Sequence, residues 1–352
     1  MQAVMANSHV LLTGDRGYIG SVLGPLLQGR GYRVTGLDVG YFAECLLRPS
    51  PVSYRQVTAD VRDVGPEIFE GVDAVIHLAG LSNDPLGDFD EHLTDEINRD
   101  ATIRLARLAK ERGVRRFVYA SSQSMYGISA SDAEQDEDNS EKRPLTAYAR
   151  TKWESECAIK ELAGGGFTVV CFRPSTVFGA SPRLRCDIVY NNLVACAYTT
   201  GRIEIKSDGT PWRPVVHVRD VGSAFMAGLE APESLVQGRS YNIGIPDGNF
   251  TVRQLAEAAQ RAVPGSTLKF TGEHGGDSRT YRVGFNRILT ELKDYFRPEW
   301  DLDRGGREPV AMFKEVGFTE EQFRGPTCVR LSQLRRLMSS GALSADLRRV
   351  KP

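Results

Sequence analysis

Short apolar runs alternate with amphipathic stretches through the first half of the chain, and this alternation restricts the fold more than any other feature. The runs are too short for buried helices and are bounded by glycine or polar residues. Apolar strands that alternate with helices are typical of a parallel sheet with both faces covered. The pattern therefore predicts an α/β fold with a Rossmann-type, doubly wound parallel sheet. The predicted strands are His9–Thr13, Arg33–Asp38, Ala74–Leu78, Phe117–Ala120 and Thr168–Arg173, and the predicted helices are Ile19–Gly29, Glu96–Lys110 and Tyr148–Leu162.

The rhythm loosens beyond Pro174. We expect this smaller C-terminal region to bind substrate, because ligands of open α/β folds lie over the carboxyl ends of the strands. The predicted division is a first domain of residues 1–176 and a second region of residues 177–352, from which residues 210–245 return to the first domain. The predicted elements of the second region are the helices Leu193–Tyr198 and Val252–Val263 and the strands Ile203–Ile205 and Val215–Val218.

Two further stretches have a distinct character. Ser129–Arg143 is acidic and polar, which predicts an exposed loop. The tail after Gly317 has apolar residues at helical spacing, among them Leu331, Leu334 and Leu337. We expect an amphipathic helix that lies on the core, with an intermolecular interface as the alternative.

The composition bounds the class of protein. The formal net charge is -1, whereas nucleic-acid and membrane-surface proteins usually carry a basic excess, so we expect neither partner. The six cysteines form no CxxC pair and no histidine lies at metal-ligand spacing from them, so we expect reduced core thiols and no metal. No apolar run reaches the roughly 18 residues of a membrane span, and no signal peptide is recognisable. We therefore expect a cytoplasmic protein.

A glycine-rich turn, TGDRGYIG, joins the first predicted strand to the first helix at Thr13–Gly20. Its three glycines permit a tight turn and let the backbone approach a pyrophosphate. The helix that follows offers unpaired N–H groups and the positive end of its dipole. Because the turn lies between a strand and a helix, it predicts a dinucleotide site.

Two acidic residues extend this site. Asp38 ends the second predicted strand, where a carboxylate accepts hydrogen bonds from both ribose hydroxyls of NAD and repels a 2′-phosphate. Arg16 acts in the opposite sense, because a guanidinium beside the ribose pairs with that phosphate. The balance favours NAD and leaves NADP as the alternative. Asp60 follows the expected third strand, and we interpret it as an acceptor for the adenine amino group.

Tyr148 and Lys152 are four residues apart in a predicted helix, so they share a face. A free tyrosine titrates near 10, too high for a base at neutral pH. A nearby ammonium, together with the positive nicotinamide, favours the phenolate and lowers the pKa. Ser122 follows the strand at Phe117–Ala120, whose carboxyl end points to the ligand crevice. These three residues are the predicted catalytic group.

With these residues in view, the chain resembles the extended short-chain dehydrogenase/reductase family, which contains nucleotide-sugar epimerases and dehydratases. The resemblance covers residues 10–283. Thr13–Gly20 is similar to the family's TGxxGxxG, and His77–Gly80 to its HLAx strand end. The other similar segments are Asn98 with Thr102, Phe172–Gly179 (LRPxNVYG), Asn191–Leu193 (NNL) and Arg213–Val221 (RxxxHVxDV).

The resemblance implies roles for the matching residues. Tyr148 is the acid or base, Lys152 binds the nicotinamide ribose and lowers the pKa of the tyrosine, and Ser122 hydrogen-bonds the reacting sugar hydroxyl. A homodimer is also implied. The predicted cofactor-binding residues are Gly14, Arg16, Gly17, Tyr18, Ile19, Gly20, Asp38, Asp60, Val61, Leu78, Ala79, Gly80, Asn98, Tyr148, Lys152 and Pro174. The predicted residues for a nucleotide-diphosphate sugar are Ser124, Thr176, Asn192, Leu193, Arg213 and Arg279, the arginines facing the diphosphate.

Departures from the family pattern bear on the reaction. Family 4,6-dehydratases place Asp and Glu directly after the catalytic hydroxyl, and family glucuronate decarboxylases also use a glutamate there. This chain has Gln123 and Ser124, which do not transfer protons near neutral pH. We therefore predict an NAD-dependent nucleotide-sugar epimerase that forms a transient 4-keto sugar. The alternatives, in order, are an NAD(P)H-dependent 4-keto-sugar reductase, a 4,6-dehydratase or decarboxylase, and a non-catalytic sensor that binds the cofactor.

Overall fold

The computed structural model describes residues 7–50, 52–87, 89–128, 133–273 and 280–350. Its strands are β1 (His9–Thr13), β2 (Arg33–Asp38), β3 (Arg55–Thr58), β4 (Ala74–His77), β5 (Arg116–Ala120), β6 (Glu134–Gln135), β7 (Thr168–Pro174), β8 (Thr176–Phe178), β9 (Arg202–Ile205), β10 (Trp212–His217), β11 (Arg239–Ile243), β12 (Asn249–Thr251), β13 (Thr267–Phe270) and β14 (Arg282–Val283).

The helices are α1 (Gly20–Gly29), α2 (Asp84–Gly87), α3 (Glu91–Thr94), α4 (Ala101–Glu111), α5 (Ala147–Lys160), α6 (Val189–Thr200), α7 (Val218–Glu230), α8 (Glu233–Val236), α9 (Val252–Ala262), α10 (Asn286–Glu291), α11 (Leu302–Val316), α12 (Glu320–Arg324) and α13 (Arg330–Ser339). Short 3₁₀ helices at Pro66–Phe69 and Gln123–Tyr126 and a π-helical turn at Asp95–Asp100 complete the list.

Seven parallel strands form the central sheet in the order β11-β7-β5-β4-β1-β2-β3. The chain runs outward from β1 through β2 to β3, then crosses to β4 and continues to the other edge. The strand order therefore reverses between β1 and β4, which is the position where open α/β sheets bind ligands. The predicted Rossmann-type, doubly wound fold is confirmed.

Helices cover both faces of this sheet. Because successive side chains of a strand point to opposite faces, Val10 and Leu12 pack toward α1 and α7, whereas Leu11 packs toward α4 and α5. Leu27 of α1 and Leu105 of α4 are fully buried in the two layers. The near-continuous apolar strands of the sequence are therefore explained by burial on both sides.

The C-terminal region builds a third core. Two small sheets, β12-β10-β8 and β13-β9, lie beside helices α6, α9 and α11. The helices meet through side chains such as Leu255 and Phe313, which are completely buried. This core adjoins the carboxyl ends of the central strands, and its sheet begins at β8, two residues after β7 ends.

Several C-terminal segments contact the first half. Helix α7 packs on α1, and strand β11 pairs with β7 in the central sheet. The division at residue 176 itself stays a prediction. Helix α13 also packs on the first half, through the fully buried Leu334, in agreement with an amphipathic helix on the core.

The acidic segment Ser129–Arg143 differs from its prediction as an exposed loop. Residues 129–132 lie outside the described part of the chain. Glu134–Gln135 forms a strand that pairs with Arg282–Val283, and Glu137 is buried, with its Oε1 accepting a hydrogen bond from the Asn242 N–H (2.8 Å). The Glu137 carboxylate can be buried because its hydrogen-bond donor, the Asn242 N–H, lies more than a hundred positions away in the sequence.

Two smaller findings concern composition. All six cysteines are free thiols, but Cys157 is exposed, so its prediction as a core residue was wrong. Among the described residues, we find no helix with both the length and the apolar character needed to cross a membrane.

Candidate active site

A cavity of about 480 Å³ lies at the carboxyl ends of the central strands, where the strand order reverses. Gly14 after β1, Asp38 of β2 and Ser122 after β5 line it from the first half. Thr176 of β8 and Arg213 of β10 line it from the C-terminal region. The cavity therefore joins the predicted dinucleotide site to the predicted substrate site.

The glycine turn forms one wall. Gly14 has a φ of +74°, and a Cβ there would lie 2.8 Å from the Ala79 backbone nitrogen. A Cβ on Gly20 would lie 2.1 Å from the Gly14 carbonyl oxygen, so only glycine permits this approach of helix to strand. Helix α1 starts without a side-chain cap. The N–H groups of Ser21 and Val22 donate to the carbonyls of Gly17 and Ile19 (both 3.0 Å). The positive end of the helix dipole therefore remains as the feature of α1 that fits the diphosphate of NAD.

Asp38 lines the cavity beside this turn. Its carboxylate accepts hydrogen bonds from the backbone N–H groups of Gly40 (2.7 Å) and Arg16 (3.3 Å), which fix its orientation. Removal from water raises the pKa of this carboxyl, and the two N–H donors oppose that effect. The Arg16 side chain is not among the cavity-lining residues; its Nη1 lies 3.6 Å from where a Cβ on Gly40 would be.

Asp15, the other unusual residue of the turn, points away from the cavity. It is 1% exposed and lies under β2, where Oδ2 accepts from Gln56 Nε2 (2.6 Å) and the Tyr54 hydroxyl (3.4 Å). Its Oδ1 is buried without a hydrogen-bond partner. Burial raises the pKa of Asp15 to about 6.

Asp60 and Val61 line the same end of the cavity. The Asp60 carboxylate already accepts from Arg62, through Nη2 (2.7 Å) and Nε (3.1 Å). If Asp60 also accepts from the adenine amino group, as predicted, its carboxylate binds Arg62 and adenine at the same time.

Leu78, Ala79 and Gly80, which follow β4, line the cavity next to the glycine turn. Asn98 does not line the cavity. Its amide accepts from the Leu81 N–H (2.8 Å) and donates to the Leu81 carbonyl (3.0 Å), so it holds the loop in place. The structure thus gives Asn98 an indirect role, from a π-helical turn.

Ser122, Tyr148 and Lys152 all line the cavity. Ser122 caps a short 3₁₀ helix, and its Oγ accepts from the Ser124 hydroxyl (2.8 Å). Desolvation raises the pKa of Tyr148 to about 12, and a hydrogen bond with Ser122 partly offsets the rise. The lowered pKa predicted from the sequence includes the positive charge of the nicotinamide, so it concerns the site with NAD bound and stays a prediction.

The Lys152 ammonium is held by contacts with the end of β5. Its Nζ donates to the Ala120 carbonyl oxygen (2.8 Å) and lies 4.9 Å from the centre of the Tyr119 ring. Burial lowers the pKa of this ammonium to about 8. Helix α5 begins at the Thr146 cap, whose Oγ1 accepts from the Ala149 N–H (3.2 Å), so both catalytic candidates lie in its first two turns.

A buried ion pair lies beneath the serines that follow β5. Arg173 Nη2 contacts Glu156 Oε1 at 2.5 Å, and the two side chains are 1% and 0% exposed. The same carboxylate accepts from the hydroxyls of Ser121 (2.6 Å) and Ser240 (2.6 Å). This network joins α5 to β5, β7 and β11 and thereby fixes the floor of the site.

The predicted substrate residues divide into two groups. Ser124, Thr176 and Arg213 line the cavity, as does Pro174 on the cofactor side. Asn192 and Leu193 do not. Asn192 Nδ2 donates to the Cys186 carbonyl (2.8 Å), and Leu193 is buried in the C-terminal core. Their assignment as diphosphate contacts is therefore not supported by the geometry. Arg279 lies outside the described residues.

Sequence reasoning missed a polar group in the wall of the cavity. Arg185 is 7% exposed by side chain and pairs with Asp187 (2.9 Å), while its Nη1 donates to Ser82 Oγ (2.9 Å). The Asp84 carboxylate accepts a hydrogen bond from the Thr146 hydroxyl (2.7 Å). Asp84 lines the cavity, as do Arg185, Asp187 and Ser82. The segment after Gly179 carried a signal in its two closely spaced arginines followed by an aspartate.

Residues 10–244 match the model of the NAD dependent epimerase/dehydratase family. The chain belongs to this family. The resemblance inferred from the motifs is thereby confirmed, and NAD is the family's cofactor, as predicted. The glycine turn, the uncapped start of α1 and the oriented Asp38 carboxylate all fit this cofactor.

The relatives include enzymes with different reactions. The chain is 28% identical over 339 residues to the UDP-glucose 4-epimerase of Bacillus subtilis (strain 168), covering 86% of this chain and 94% of that protein. It is 29% identical over 324 residues to the dTDP-glucose 4,6-dehydratase of Streptomyces griseus, covering 87% and 94%. Because the identity to these two enzymes is nearly equal, it does not distinguish between their reactions, and the reaction must be inferred from the residues of the site.

Solved structures share the fold. MoeE5 in complex with UDP-glucose and NAD superimposes with a TM-score of 0.73 at 26% identity, over 88% of this chain and 99% of that one. UDP-glucose 4-epimerase from Thermotoga maritima superimposes with a TM-score of 0.75 at 20% identity, over 88% and 99%.

Proposed function

We propose that this protein is a nucleotide-sugar epimerase that acts at C4 through a transient 4-keto sugar. One observation carries the proposal: Ser122, Tyr148 and Lys152 line one cavity, and Gln123, which lines the same cavity, is an amide and not a carboxylic acid. The Gln123 amide donates to the carbonyls of Arg173 (2.9 Å) and Ile243 (3.2 Å), and it has no acid–base function. The side chains after Ser122 thus supply no carboxyl for elimination or decarboxylation.

The catalytic residues divide the proton chemistry. Tyr148 takes the proton of the C4 hydroxyl and later returns it to the keto oxygen, while Ser122 orients that oxygen by a hydrogen bond. The Lys152 ammonium favours the phenolate form of Tyr148 electrostatically. NAD, when bound, supplies reversible hydride acceptance at C4, so the overall reaction involves no net oxidation. Because burial raises the pKa of Tyr148, its ionisation depends on positive charge near it, from Lys152 and from the nicotinamide of NAD.

Cationic groups on the substrate side support a nucleotide diphosphate as the activating group. Arg213 starts the wall formed by β10, and its Nη1 donates to the Trp212 carbonyl (2.8 Å), which directs the guanidinium. We assign Arg213 to the diphosphate, because arginine binds phosphate oxygens in a bidentate manner. In a chain with a formal net charge of -1, such local groups are needed to bind an anion.

A 4-keto-sugar reductase is the second candidate. Arg16 beside Gly40 favours it, because a guanidinium at the ribose would tolerate the 2′-phosphate of an exchangeable NADPH. Stoichiometric consumption of reduced cofactor with a 4-keto nucleotide sugar would identify the reductase.

The first experiment is native mass spectrometry of the purified protein, which identifies any co-purified cofactor and nucleotide sugar. The epimerase proposal predicts NAD bound at high occupancy and conversion of a cognate nucleotide sugar to its C4 epimer. Absence of bound NAD, together with no epimerisation across a panel of nucleotide sugars, would contradict it. The homodimer and the cytoplasmic location stay predictions, the former testable by light scattering.

A further inference from the structure

The C-terminal end of the chain packs on the first half of the chain rather than in the C-terminal core. Leu334, Leu343 and Leu347 are at most 3% exposed and share a core layer with Leu37 of β2. The family match ends at residue 244, so this packing lies outside it. We call residues Arg330–Arg349 the C-terminal strap.

The strap holds the loop that follows Asp38. The Arg349 guanidinium donates to the backbone carbonyls of Val39 (3.1 Å) and Gly40 (2.5 Å). The Tyr41 hydroxyl donates to the Leu347 carbonyl (2.5 Å). Val39 and Tyr41 line the cavity, so the strap bonds directly to its wall.

The strap also holds the loop that follows β3. Arg62 Nη1 donates to the Asp346 carbonyl (3.0 Å). Arg348 pairs with Asp60 (3.3 Å), the cavity-lining carboxylate, and with Asp63. Two separate loops at the same end of the cavity are therefore tied to one C-terminal segment.

The first residue of the strap lines the cavity itself. Arg330 is 2% exposed and donates to the carbonyls of Arg183 (2.7 Å) and Thr327 (3.2 Å), with its guanidinium 4.9 Å from the Phe42 ring. Within the described part of the chain, no carboxylate forms an ion pair with Arg330. Asp187 attracts the Arg330 charge, but its ion pair is with Arg185 (2.9 Å). A buried charge without an ion pair is costly, and an anion in the cavity would compensate it.

We propose that the C-terminal strap is a positioning element of the NAD site. In this arrangement Arg330 contributes the positive charge that faces the bound dinucleotide, and Leu347–Arg349 clamp the two loops that wall the Asp38 end of the cavity. Cofactor release then requires those loops to part from the strap, so the strap slows release. The inference concerns the cofactor alone and does not depend on which sugar reaction follows.

The test measures cofactor release directly. The full-length protein is loaded with NADH, chased with excess NAD, and followed by the fluorescence of bound NADH. Arg349→Ala removes charge-assisted hydrogen bonds to two loop carbonyls, and we expect release about 10-fold faster, equivalent to 1.4 kcal/mol. Val350→Ala is the matched control, because its side chain is 53% exposed, and it should release NADH at the wild-type rate.

A destabilised variant that leaves the strap contacts intact shows whether faster release results only from lower stability of the protein. Val169→Ala creates a cavity in the same core layer, away from the strap contacts. The proposal is supported if Arg349→Ala releases NADH faster than Val169→Ala does, although Val169→Ala has an equal or lower urea midpoint. If Arg349→Ala releases NADH no faster than Val169→Ala, or as slowly as Val350→Ala, the proposal that the strap clamps the loops is overturned.

A separate measurement tests the role of the Arg330 charge. Calorimetry should show about 10-fold weaker NAD binding to folded Arg330→Met, and unchanged affinity overturns that role.

Discussion

Replacing Glu156 by Gln removes one charge from the buried ion pair and leaves the shape of the side chain almost unchanged. Glu156 accepts from Arg173 through Nη2 (2.5 Å) and Nε (3.1 Å), and both side chains are essentially inaccessible to water. The variant therefore leaves an uncompensated guanidinium in the interior. Breaking a buried pair from one side costs about 3–5 kcal/mol, a large share of the roughly 5–15 kcal/mol that stabilises a folded protein.

The measurement is urea-induced unfolding followed by circular dichroism and tryptophan fluorescence. Glu154→Gln is the matched control two residues away, because Glu154 is 38% exposed and its contacts with Arg99 (3.2 Å) and Arg150 (3.4 Å) lie at the surface. Exposed pairs contribute about 0–1 kcal/mol. If Glu156→Gln loses no more stability than Glu154→Gln, the network does not hold the floor of the site as described.

The pH dependence gives a second check on the same pair. Burial acts to raise the pKa of Glu156, but Arg173 and the hydroxyls of Ser121 and Ser240 together outweigh burial and hold the pKa below the ordinary value of 4.5. The stabilisation is therefore present above about pH 4.5 and is lost as the pH falls through the lower value in the folded protein. The stability difference between wild type and Glu156→Gln should be constant near neutral pH and should shrink in acid.

Three further predictions concern separate sites. Burial raises the pKa of Asp15 from 3.8 to about 6, so wild type should lose up to about 3 kcal/mol relative to Asp15→Asn between about pH 4 and about pH 7, measured by urea unfolding; parallel pH profiles would contradict this. Arg213→Lys should raise KM by about tenfold or more with a smaller effect on kcat, because bidentate phosphate binding is lost; an unchanged KM would remove Arg213 from the diphosphate site. Lys152→Met should lower kcat by about 10²–10⁴-fold while the protein stays folded by circular dichroism, and turnover within tenfold of wild type would exclude its assigned role.

The sequence was most informative where the physical signal is local. Apolar runs predicted five of the seven central strands, β1, β2, β4, β5 and β7. The glycines of Thr13–Gly20 predicted a turn that the structure shows to be sterically closed to side chains. The spacing of Tyr148 and Lys152 placed both on one helix face, and both line the cavity. Short-range geometry follows from residue type and spacing, which is why these expectations transferred to the structure.

Other features depended on contacts between distant residues. Arg349 meets Gly40 across more than 300 positions, and nothing near either residue indicates the contact. Glu137 lies in an acidic stretch that predicts exposure, yet the Asn242 N–H makes it a buried acceptor. Asn192 matched a motif but turns to a neighbouring carbonyl. Pairing partners of buried polar groups are set by the tertiary fold, so a linear pattern identifies them poorly.

The most direct test of the proposed reaction uses a nucleotide sugar labelled with deuterium at C4. The account predicts that the purified protein forms the C4 epimer with the label retained at C4 and no net consumption of NADH, and that Tyr148→Phe abolishes the conversion while it still binds NAD. Stoichiometric consumption of reduced cofactor with a 4-keto nucleotide sugar, or release of a 4-keto-6-deoxy product, would contradict it.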